Sequence, residues 1–92
     1  MITKRKRLGT VNVTFVQQPR DEALFLAGSF NDWKHEPLKK AKDGTVRATV
    51  QAEPGQTLTF RYVTASGEWF DDESADEHVP NEHGTTNGLV HV

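Results

Sequence analysis

Three stretches of the chain alternate apolar and polar side chains with the period of two that marks a half-buried β-strand. In TVNVTFV (Thr10–Val16), Val11, Val13 and Phe15 share one face, and Thr10, Asn12 and Thr14 share the other. TVRATVQA (Thr45–Ala52) turns Val46, Ala48 and Val50 inward. TLTFRYV (Thr57–Val63) does the same with Leu58, Phe60 and Tyr62, which leaves Thr57, Thr59 and Arg61 on the solvent side. ALFLAG (Ala23–Gly28) is continuously apolar, the pattern of a short strand buried on both faces. Briefer strands are expected at Pro37–Ala41 and around Trp69–Phe70, and a closing strand near Asn87–Val92 with Leu89 inward. Turn residues separate these runs: Pro19 with Arg20–Asp21, Lys42–Gly44, Glu53–Gln56 and Ala65–Glu68. No segment carries a helical period. Six to eight short strands with turns at this spacing predict an all-β sandwich with one thin core.

Composition narrows the function more than the fold. Ninety-two residues fit a single domain. The chain has no cysteine, which excludes disulfides, thiolate metal sites and a cysteine nucleophile. No apolar run is long enough for a membrane span or a signal peptide, so a cytoplasmic, membrane-free protein is expected. Charge is uneven: residues 1–47 hold ten Lys/Arg and five Asp/Glu, whereas residues 48–92 hold one and eight. Much of the basic excess is KRKR (Lys4–Arg7). Residues 1–8 are therefore expected to be a flexible basic N-terminus, and residues 9–92 the folded domain. A nucleic-acid partner is not expected, because such a binder interleaves cations with aromatics along one face, and the run Lys4–Arg7 contains no aromatic residue.

Catalysis finds little support. Ser29, Ser66 and Ser74 lie outside any nucleophile motif. The carboxylates of FDDESADE (Phe70–Glu77) crowd one polar loop instead of flanking a cleft with divergent pKa values. The four histidines lack metal-ligand spacing, and the acidic loop lacks a calcium-loop pattern, so neither a metal nor another cofactor is expected. The unusual residues are two tryptophans in polar settings, Trp33 in NDWKHE and Trp69 in GEWFDD. Flat indole faces together with an outward Arg61 and a nearby amide are the groups that sugar recognition uses. Pyranose faces pack on aromatic rings, and hydroxyls take hydrogen bonds from planar polar groups.

The segments LFLAGSFNDWKHEPL, LTFRYVTASGEWFDD and HGTTNGLVHV together resemble the carbohydrate-binding modules of family 48. That family includes the glycogen-binding domain of the AMP-activated protein kinase beta subunit and the N-terminal domains of isoamylases and branching enzymes. The resemblance runs from about Thr10 to Val92. It implies an immunoglobulin-like β-sandwich of the early set E type, with non-catalytic binding of α-1,4-linked glucan such as glycogen, starch or maltooligosaccharide. By motif position it implies a carbohydrate site of Trp33, Arg61, Trp69, His83 and Asn87. Arg61 stands where the kinase subunit has lysine, His83 where it has leucine, and Gly88 where the family has a second asparagine. It also implies a partner among glycogen-metabolising or kinase-type proteins. The alternative is a structural or protein-interaction sandwich that binds no sugar, for which Trp33 and Trp69 are expected to be buried or to face different sides.

Overall fold

The computed structural model describes residues 1–92 and contains ten strands. They are β1 Ile2–Arg7, β2 Thr10–Gln17, β3 Leu24–Gly28, β4 Glu36–Pro37, β5 Lys39–Lys40, β6 Val46–Ala52, β7 Thr57–Thr64, β8 Trp69–Phe70, β9 Glu77–Pro80 and β10 Thr86–His91. Seven of them have four residues or more, within the range expected from the turn spacing. All pairings are antiparallel, and two sheets result, one ordered β1-β2-β6-β5 and the other β4-β3-β7-β10-β9 with β8 added to β7. The fold is all-β, an immunoglobulin-like sandwich. The single helical element is a short 3-10 turn at Ser29–Asn31, and no helix is long and apolar enough to cross a membrane.

The alternating strands supply the core as their patterns require. Val13 and Phe15 of β2 and Leu58, Phe60 and Tyr62 of β7 are buried, with Phe15 and Phe60 in contact at 4.8 Å between ring centroids. Val46, Ala48 and Val50 of β6 pack on this cluster while remaining partly exposed. The Pro37–Ala41 stretch is not one strand. Glu36–Pro37 pairs with β3 in one sheet and Lys39–Lys40 with β6 in the other, and Leu38 is buried between them. The chain thus crosses from sheet to sheet within three residues.

Two expectations are corrected. In β10, Val90 and not Leu89 points inward, because Gly88 lies opposite Phe60 and Val90 opposite Leu58. A Cβ on Gly88 would lie 2.8 Å from the Phe60 ring, so only glycine fits there, and the period of two then fixes Val90 as the next inward residue. The second correction concerns residues 1–8. In place of a flexible tail, Ile2–Arg7 is paired along its length with β2, from Ile2 opposite Phe15 to Arg7 opposite Thr10. Ile2 packs against the core, and Lys4 Nζ reaches across the sandwich to Asp76 at 2.8 Å and to the His91 carbonyl at 2.7 Å. Those long-range contacts and the hairpin supply ordering that four consecutive charges conceal in the sequence.

Candidate carbohydrate site

The loop after β3 is built to hold Trp33 outward. The Gly28 N–H donates to Asn31 Oδ1 at 3.1 Å, Asn31 Nδ2 donates to the Lys34 carbonyl at 2.9 Å, and the Trp33 N–H donates to the Gly28 carbonyl at 2.9 Å. One asparagine side chain therefore spans the turn that carries the tryptophan. Ser29 Oγ accepts from the Thr59 N–H and fastens the loop to β7. Phe30 packs on the core, its ring stacked on Phe15 at 5.9 Å. Gly28 is required by close approach, since a Cβ there would fall 2.4 Å from the Thr59 carbonyl oxygen. Asp32 and Trp33 both adopt left-handed backbone, with φ of 57° and 60°. For a bulky residue such as tryptophan that conformation costs on the order of 1 kcal/mol, and backbone strain of this kind concentrates where function requires a particular presentation.

Trp69 is presented from β8, whose Cα partner on β7 is Val63. Trp33 and Trp69 remain 39% and 40% exposed, although both are large apolar groups. His35 meets the edge of the Trp69 ring at 5.5 Å, close to perpendicular, and lies 6.0 Å from Phe25. Arg61, which leaves β7 on the face opposite Phe60 and Tyr62, has its guanidinium carbon 6.0 Å from the Trp69 ring centre. It is not a free cation. Its Nε donates to Asp71 at 2.9 Å and its Nη1 to Thr85 Oγ1 at 3.2 Å, so Nη2 remains for a ligand.

The remaining wall is the turn between β9 and β10. Asn81 Oδ1 accepts from the His83 N–H at 2.9 Å, the Thr85 N–H at 3.2 Å and Thr85 Oγ1 at 3.1 Å. Two of those partners are backbone donors, which fixes the amide orientation and turns Asn81 Nδ2 toward Asn87 Oδ1, 3.0 Å away. Asn87 is thereby left with its NH2 group to offer. His83 itself is exposed on the tip of this turn.

All five residues expected from the sequence, Trp33, Arg61, Trp69, His83 and Asn87, line one open cavity of about 850 Å³. That is within the size range of small-ligand sites. His35, Asn81, Glu82 and Thr85 complete the lining and were not expected. Asn81 had a legible signal, an asparagine opening the turn-forming NEHG, but its role as a bracket for Asn87 arises only from the folded geometry. No group of three or more His, Asp or Glu residues is placed to hold a metal ion.

Behind the cavity, Asp72 anchors the acidic loop. It is 4% exposed and accepts the Tyr62 hydroxyl at 2.8 Å and the Ser74 N–H and hydroxyl at 2.8 and 2.7 Å. Burial pushes its carboxyl upward, but the hydrogen bonds from Ser74 and Tyr62 outweigh that and hold it below the ordinary range. Burial raises the Tyr62 phenol far above its usual value, and the neighbouring Asp72 charge adds to the shift. Asp72 thus fixes the start of the loop at Asp71, the residue that holds Arg61.

Neither a scan of the chain against protein-family models nor a search of curated proteins finds a match.

Proposed function

We propose that this domain binds α-1,4-linked glucan, such as glycogen, starch or maltooligosaccharide, without catalysis, in the manner of the family 48 modules its motifs resemble. The observation that supports this most is the sharing of one cavity by two half-exposed tryptophans, one of them on a left-handed backbone. A domain using these tryptophans only for its core would bury them, and the protein-interaction alternative expects them buried or on different faces.

In this reading the two indoles stack on sugar rings, each contributing roughly 1 kcal/mol beyond area burial. Arg61 Nη2 and the Asn87 amide donate to sugar oxygens, and His83 borders the chain. The site is shallow and open, so affinity falls in the micromolar to millimolar range. A cytoplasmic setting beside glycogen-metabolising or kinase-type enzymes would suit a module of this kind.

An NMR titration with maltoheptaose tests the proposal. Shifts are expected at both indole N–H signals and at Arg61, and Trp33→Ala or Trp69→Ala is expected to weaken binding about tenfold while the spectrum stays folded. Absence of any shift at millimolar sugar would overturn the proposal.

A further inference from the structure

The strand β1 forms one edge of its sheet, paired with β2 on one side, and Thr3–Arg7 are exposed along it. Its register divides its backbone groups into two sets. Met1 and Val16 exchange both of their backbone hydrogen bonds, each 2.8 Å long. Bonded and non-bonded pairs alternate along an antiparallel ladder, so Thr3, Arg5 and Arg7 also bond toward β2. The N–H and C=O groups of Ile2, Lys4 and Lys6 consequently face the open edge. The same strand carries Lys4, Arg5, Lys6 and Arg7. Only Lys4 has an acidic partner, Asp76, and the side chains of the other three make no ion pair or hydrogen bond.

We infer that β1 is a docking edge for an extended acidic segment of another protein, which adds to the sheet as a further antiparallel strand. An open row of backbone donors and acceptors is the template for strand addition. Opposite charges directly across two strands are stabilising and like charges are not. A second copy presenting its own β1 would set cations against cations. The acidic edge of a second copy, β9, spans only four residues, ends in Pro80 and has Glu77 engaged by His91. Nucleic acid and anionic lipid would satisfy the charges but have no peptide groups to complete the ladder. The side chains of Arg5 and Arg7 lie on the outer face of the sheet and that of Lys6 on the inner. The fitting partner therefore carries carboxylates at alternate positions, with a further one on its other face.

The test uses the intact chain and a capped peptide of alternating threonine and glutamate as long as β1. Amide hydrogen exchange at Lys4 and Lys6 is expected to slow about tenfold or more on saturation, with little change at Arg5 and Arg7, whose amides already bond to β2. Charge reversal by Arg5→Glu with Arg7→Glu is expected to weaken binding about tenfold and to transfer preference to the lysine version of the peptide. A peptide N-methylated at alternate residues keeps its charge but cannot pair, and it is expected not to bind. Equal binding of the methylated peptide, binding without protection of Lys4 and Lys6, or no binding at low salt would each overturn the inference. In the last case the cations would serve only to keep the edge from aggregating.

Discussion

Replacing Tyr62 by phenylalanine removes one oxygen from the interior and nothing else. The Tyr62 hydroxyl donates to Asp72 Oδ2 at 2.8 Å from a side chain that is completely buried. A hydrogen bond to a charged group is worth about 1.5–3 kcal/mol. Asp72 is not orphaned by the change, because Ser74 still donates twice to Oδ1 and Gln17 Nε2 lies 3.3 Å from Oδ2. The expected cost is therefore near the lower end, about 2 kcal/mol at neutral pH, or roughly 10 °C in Tm for a domain of this size. Urea unfolding followed by tryptophan fluorescence measures it directly. The pH dependence adds a second signature. The folded phenol keeps its proton at pH values where the unfolded one, with a pKa near 10, loses it. The unfolded state then binds fewer protons, so the stability from Tyr62 is complete below about pH 10 and falls as pH rises beyond it, by up to about 1.4 kcal/mol per unit. Tyr62 is the sole tyrosine of the chain, and Tyr62→Phe is expected to abolish that alkaline decline. At the acid end the sign is opposite. The Asp72 carboxyl is held low, so its contribution is present above about pH 4 and lost as pH falls below it. A cost below about 0.5 kcal/mol, or the same alkaline limb in both proteins, would refute the account of this buried pair.

Two further changes probe the hairpin tip and the cavity wall. Leu8 is fully exposed and has a left-handed φ of 41° at the β1–β2 turn, followed by Gly9 at 86°; Leu8→Asn is expected to raise stability by about 1 kcal/mol, read as a higher urea midpoint with an unchanged slope. Asn81→Ala removes the bracket on Asn87 and the His83 turn; it is expected to weaken maltoheptaose binding several-fold by calorimetry, with little change in Tm because the turn is exposed.

Strands with a clean alternation, β2 and β7, could be read from the sequence because each buries one face, and their inward residues are those the pattern named. Where alternation was confounded, the reading slipped. Leu89 and Val90 are adjacent and both apolar, and only the contact of Gly88 with Phe60 decides which of them enters the core. Strand β1 has almost no apolar pattern, and its order comes from pairing with β2 and from Lys4 reaching Asp76. The cavity residues were legible where a motif fixed them, as with Trp33, Arg61 and Trp69. Asn81, Asp71 and His35 act by positioning other side chains, and that role depends on distances no local sequence encodes.

Strand β7 places Phe60 and Tyr62 in the core and Arg61 between them at the cavity. A slip of one residue in its pairing would drive the guanidinium inward and both rings into water. The cavity wall and the core therefore share a single register, and a chain that slips it loses both. For the proposed glucan site, binding capacity per mole of protein is consequently expected to count molecules with β7 in this register, so that a titration endpoint matches the folded fraction measured by unfolding. A folded population with β7 shifted by one residue is the species this arrangement does not permit.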